Sequence, residues 1–182
     1  PVAAPPDASD PDNPANPTEP KPPSPPVDPD EATYDVLSDL VYAQVKSQAL
    51  RLDMYLPRKI SGTVPVVLYL HSGGWFSGSK MPCPGASLAP LGIAMACADY
   101  RLYTAAPFPA QHHDVRAAVL WLRKNATRYR LARDRIRVFG DSPGGYLAAM
   151  VCTADEVDKL PSPHARAPAS PRGQGVVDQL AP

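Results

Sequence analysis

No stretch of the sequence approaches the roughly twenty consecutive apolar residues that a membrane-crossing helix needs, so a helical membrane span is not expected. Nor does a basic segment followed by an apolar core open the chain, as a signal peptide would. Cysteine is scarce: Cys83, Cys97 and Cys152 are odd in number and lack C-x-x-C spacing, which speaks against a zinc site and against a disulfide framework. Cys97 falls in an apolar strand-like run and Cys152 in a helix-like one, so buried free thiols are the expectation. Neither sign of charge is in excess, 18 basic residues facing 18 acidic ones. The balance is uneven along the chain, with net charge −5 over residues 1–30, +6 over 31–154 and −1 beyond. The basic middle does not point to nucleic acid, because Arg128, Arg130, Arg133, Arg135 and Arg137 crowd one helix end and the strand after it, where the helix dipole favours cations.

Proline is abundant, and twelve of the 25 fall within residues 1–30 beside six acidic residues and almost nothing large and apolar. Such a segment cannot offset its own ordering entropy, so residues 1–32 read as a disordered, polyproline-like linker or tail and 33–182 as the folded part. A leader of this composition is what an exported protein retains after losing its signal. Export is therefore an expectation, with the compartment itself left open.

From Tyr34 the pattern becomes that of a sheet. Val36, Leu40, Tyr42 and Val45 suggest one strand, and Leu50, Leu52, Met54 and Leu56 a second, alternating with Arg51, Asp53 and Tyr55 and ended by Pro57. The two fit an antiparallel edge hairpin. Val64–Leu70 is a continuous apolar run, as in a strand buried on both faces. A short helix near 85–91, a strand over 93–100 and a loop over 104–109 follow. Residues 110–129 carry the strongest helical periodicity, with Val115, Ala118, Val119, Leu122 and Ala126 on one stripe and Arg116, Arg123 and Lys124 away from it. The elbow strand Ile136–Phe139, a helix over 144–154 and an apolar run over 175–180 complete an alternation of strand and helix. It predicts a mostly parallel, doubly wound α/β sheet with its site at the carboxyl ends of the strands.

The chain is organised around Gly140-Asp-Ser-Pro-Gly-Gly145. Apolar residues lead into it and an Ala/Leu-rich helical run leaves it, which is the strand-turn-helix context of a G-x-S-x-G nucleophile elbow. Gly140 and Gly144 are read as small because the turn brings backbone too close for a Cβ. Upstream, Val64–Leu70 ends in His71-Ser-Gly-Gly-Trp75, whose glycines leave backbone N–H groups able to face a ligand. With Asp99-Tyr-Arg-Leu102 and Ala106-Pro-Phe-Pro-Ala-Gln111 between the two motifs, residues 34–182 resemble the α/β-hydrolase superfamily. The likeness is to carboxylesterases of the hormone-sensitive-lipase type and to bacterial feruloyl esterases, which carry H-G-G-G-W and G-D-S-A-G-G in the same order.

The resemblance implies Ser142 as nucleophile, a small-molecule ester as substrate, and no cofactor or metal. By match to the later family glycines, Gly73 and Gly74 are the oxyanion donors, and Ser72 standing for the first glycine requires ordinary backbone angles there. Pro143 occupies the position whose N–H normally completes the oxyanion hole, and proline has none. His71 is read as a residue that fixes its loop, Asp141 as one that holds the elbow, and Gly145 as elbow support. His112, His113 and Asp114 are read as the opening of the amphipathic helix, with Asp114 at its positive dipole end, and not as a base or a metal site. After Ser142 the sequence offers Asp155, Glu156, Asp158, Asp178 and His164, all nearer the nucleophile than the family places its acid and base, so neither role is assigned. The expectation is a fold incomplete at its C-terminus and an impaired serine esterase. A catalytically inactive fragment or binding remnant of the same fold, or a peptidase or amidase on it, are the alternatives, and the oligomeric state is open.

Overall fold

The computed structural model of the chain describes residues 33–153 together with the backbone of 176–179. The expectations for the proline-rich residues 1–32, and for Asp155, Glu156, Asp158 and His164, lie outside the described residues. Strands β1 (Tyr34–Val45) and β2 (Gln48–Pro57) pair antiparallel, with Val45 opposite Gln48. Strands β3 (Val64–Leu70), β4 (Ala94–Ala98), β5 (Leu131–Asp141) and β6 (Val176–Gln179) are parallel to one another. The order across the sheet is β1-β2-β4-β3-β5-β6, with β2 antiparallel to β4. The edge hairpin and the parallel body are thus as the periodicities predict. Proline in a central strand forfeits a ladder hydrogen bond, and Pro65 sits where the β3–β5 register is interrupted, between Val64 and Val66.

Alternation along β3 divides the core between two faces. Val66, Leu68 and Leu70 pack with Val115, Ala118, Val119 and Leu122 of helix α2 (Ala110–Lys124) and with Leu147, Ala148 and Val151 of helix α3 (Pro143–Thr153). Tyr69, Met95 and Cys97 face the other way, under Leu88 of the short helix α1 (Gly85–Leu88), which a 3-10 turn at Ala89–Leu91 extends. Helices on both faces make the sheet doubly wound. Each large apolar side chain so buried contributes about 1.5–3 kcal/mol. The chain leaves β3 toward α1 on one face and leaves β5 toward α3 on the other, although β3 and β5 are neighbours. This divergence opens a crevice at their carboxyl ends, the position where ligands bind in open parallel sheets.

Several local expectations are corrected. Cys83 and Cys97 form a disulfide, with 5.9 Å between their Cα atoms, and Cys152, half-buried on α3, stands outside it. The odd count left one bridge possible, and Cys83 just before α1 is brought over β4 by the packing of that helix. Helix α2 ends at Lys124 and not at 129, because the Asn125 side chain donates to the Trp121 carbonyl at 2.9 Å and the chain then turns into β5. Ala126 is buried as expected but lies in that turn. Arg123, assigned to the polar side, is buried, and burial lowers its guanidinium pKa, Arg133 adding to the shift and Cys152 opposing it. Asp53, assigned to the polar face of β2, is buried under Lys80. No helix is long and apolar enough to cross a membrane among the described residues.

Candidate active site

Two chain turns meet at the carboxyl ends of β3 and β5. Leu70 and Gly140 are register partners, so His71-Ser72-Gly73-Gly74 and Asp141-Ser142-Pro143 leave adjacent strands side by side. Ser142 is exposed and holds φ at +51°, a left-handed backbone that costs a non-glycine residue on the order of 1–2 kcal/mol. It is the last residue before α3, and its carbonyl accepts the Tyr146 N–H at 3.1 Å, closing the first helical turn beneath it. Pro143 is the first helical residue and is buried, a position where the missing N–H costs the helix nothing. The close approach behind the elbow is severe. A Cβ on Gly144 would stand 2.2 Å from the Leu70 carbonyl oxygen, and one on Gly140 would stand 2.4 Å from the Gly144 carbonyl carbon.

The facing turn is built from unusual backbone. Gly73 and Gly74 have φ of +124° and +59°, and Trp75 follows at +74°. Ser72 is outside this group, so the serine that replaces a glycine has an ordinary backbone, as its presence requires. The Gly73 carbonyl accepts from the Ser77 N–H at 3.0 Å and the Phe76 N–H at 3.1 Å, which folds the turn back on itself. The Trp75 ring meets Tyr146 of α3 edge-on at 5.8 Å, linking the turn to the elbow helix.

His71 anchors the start of this turn. Its ring stacks on Tyr100 at 4.2 Å, and the Tyr100 hydroxyl donates to the His71 carbonyl at 2.8 Å. Nδ1 lies 2.6 Å from the Ser72 carbonyl oxygen, which can only accept, so Nδ1 carries the proton. Burial lowers the imidazole pKa, with the Ser72 hydrogen bond and the Asp99 charge pulling the other way. Asp141 accepts from the Tyr69 hydroxyl at 3.1 Å, tying the elbow to β3. Burial, then Asp141, raises the Tyr69 pKa, so the phenol stays protonated as the donor.

His112, His113 and Asp114 do not join this site. All three are buried on α2, where Asp114 lies beyond the first turn and so does not serve the helix dipole. Its carboxylate instead takes Arg101 in a two-pronged ion pair, with Nη2 donating to Oδ1 at 2.7 Å and Nε to Oδ2 at 2.8 Å. The Asp99–Leu102 string therefore acts as scaffold: Tyr100 holds His71, and Arg101 holds α2. Asp178 lies in β6 beside Gly140 in register.

Residues 52–182 match the BD-FAE family model. The chain belongs to the BD-FAE family. Within that α/β-hydrolase frame it is 35% identical over 101 residues to carboxylesterase NlhH of Mycobacterium tuberculosis, covering 54% of this chain and 32% of that protein. It is 32% identical over 108 residues to a probable isoprenylcysteine alpha-carbonyl methylesterase, ICMEL1, of Arabidopsis thaliana, covering 58% and 22%. Among solved structures it is similar to the thermophilic esterase Est2 of Thermogutta terrifontis with butyrate bound, at TM-score 0.68 and 25% identity, covering 81% of this chain and 52% of that one. A truncated carbohydrate esterase from gut microbiota matches at TM-score 0.62 and 29% identity, covering 71% and 47%. The alignment thus spans about a third or less of these curated relatives and about half of these solved chains.

Proposed function

We propose that residues 33–182 carry the nucleophile and oxyanion side of a serine carboxylic-ester hydrolase acting on small esters, with residues 1–32 as a linker or tail. The observation that carries this reading is Ser142, exposed at φ +51° between β5 and α3 and beside the Gly73–Gly74 turn. The names of the similar proteins, a carboxylesterase and an esterase, support ester bonds as the target. In this mechanism Ser142 Oγ attacks the ester carbonyl carbon while its proton passes to a base. The carbonyl electron pair moves onto oxygen, where the Gly73 and Gly74 N–H groups donate to it. Collapse expels the alcohol, which takes up the proton, and leaves an acyl-enzyme that water hydrolyses in the same way. The base and its carboxylate partner are assigned to no residue. The three histidines of the described region, His71, His112 and His113, are all buried.

Pro143 favours a second reading, a binding fold with little turnover, because it withdraws one oxyanion donor. That loss alone is worth on the order of 10² to 10³ in turnover. Hydrolysis of a short-chain aryl ester, with Ser142→Ala as the blank, separates the two. Turnover that disappears with the substitution supports the hydrolase, and equal rates from both proteins support the binding fold.

A further inference from the structure

Lys80 closes the far end of the segment that begins at His71. Its ammonium stands 2.8 Å from each carboxylate oxygen of Asp53 on β2 and 3.3 Å from Asp39 Oδ1 on β1. Its backbone N–H donates to Asp99 Oδ1 at 2.7 Å, just past the end of β4. One residue thus joins the loop to three strands. The pair is secluded, with side-chain exposures of 14% for Lys80 and 6% for Asp53, and the Asp39 N–H supplies Asp53 with a further donor at 2.7 Å. Burial opposes the charge on Lys80, and the hydrogen bonds to Asp53 and Asp39 outweigh it, so its pKa is raised and it remains an ammonium.

A buried ion pair is a poor source of net stability but a strict constraint on geometry, because moving one partner strands the other charge. Here the constrained element is a loop. At one end His71 is stacked on Tyr100, and at the other Lys80 is held by Asp53 and Asp99. Between them lie Gly73 and Gly74, in backbone conformations that neither a helix nor a strand enforces. A donor turn has to be held to about 0.5 Å to be useful. We infer that Lys80 is a positioning residue for the Gly73–Gly74 turn, acting through Asp53 and never touching substrate. What the turn does rests on the esterase reading above, whereas the anchoring rests on these contacts alone.

Amide hydrogen exchange on the whole chain tests the anchoring, following a peptide over 72–79 against peptides from α2 and from the β1–β2 hairpin. Lys80→Met raises exchange over 72–79 by about tenfold and leaves α2 unchanged, since the opening is local. Lys80→Arg, whose cation still reaches Asp53, restores protection. Lys80→Met combined with Asp53→Asn removes the stranded carboxylate, and the loop stays loosened. The inference is overturned if exchange over 72–79 is unchanged in Lys80→Met, if α2 loosens equally, or if the double variant regains full protection. Fluorophosphonate labelling of Ser142 in the same samples slows in the same rank order. A wild-type protein that does not label contradicts the esterase reading, and the exchange result still decides the role of Lys80.

Discussion

The imidazole of His71 lies flat on the ring of Tyr100, with 4.2 Å between centroids and 5° between planes. Because burial depresses the His71 pKa, this contact is sensitive to pH. An unfolded chain holds histidine near its ordinary value of about 6.5 and so binds more protons than the folded protein in the window below that value. The His71 contribution is therefore fully present above about pH 6.5 and is lost as the pH falls. Thermal melts at neutral and mildly acidic pH should show a smaller acid-induced fall in Tm for His71→Asn than for wild type. Parallel slopes in the two proteins would exclude His71 as the titrating group.

The glycines of the two motifs should differ in what they tolerate. Gly144→Ala places a methyl against the backbone of β3, where neither partner can yield, and should cost about 3 kcal/mol or more. Gly74→Ala meets nothing within 4 Å and carries only the left-handed backbone penalty, about 1–2 kcal/mol. Urea unfolding with a common m-value gives the order directly.

Arg101 and Asp114 form the most secluded ion pair described, with side-chain exposures of 12% and 0%. Arg101→Met strands a buried carboxylate and should cost about 3–5 kcal/mol. Adding Asp114→Leu removes that charge and should recover most of the loss. A double variant as unstable as the single one would mean that the guanidinium packing, and not the charge, was the larger contribution.

Pro143→Ala supplies an N–H at the first position of α3 without altering the helix register. In this chain, where no base is assigned, the substitution should change ester turnover almost not at all. With the acid and base of a related esterase supplied, Ser142-dependent turnover should rise by roughly 10², chiefly in kcat, since the added donor acts on the developing oxyanion. An unchanged rate with the acid and base supplied would place the limit elsewhere, in the transfer of the Ser142 proton.

Much of the fold was legible because its strands are near-continuous apolar runs and its turns are marked by Gly and Pro. The elbow was legible for the same reason, since Gly140, Ser142 and Gly144 stand where an apolar strand meets an Ala/Leu helix. What the sequence concealed are pairings between distant residues. Lys80 carries no local signal, and its partner Asp53 looks like the polar side of an alternating strand until the loop covers it. Asp114 looks like a helix-dipole residue until Arg101 arrives beside it. Cys83 joins Cys97 only because α1 folds back over β4. Arg123 escaped because periodicity along α2 shows one buried stripe and cannot show that a residue off that stripe comes near Arg133 of β5 and Cys152 of α3.

The central claim is that Ser142, held in a left-handed turn at the head of α3, is a nucleophile. The most direct measurement is incubation with a fluorophosphonate probe followed by peptide mass mapping. A single adduct on Ser142, absent from Ser142→Ala and formed more slowly in Lys80→Met, is the predicted result. No adduct on the wild-type chain, or one that persists after Ser142→Ala, would contradict it.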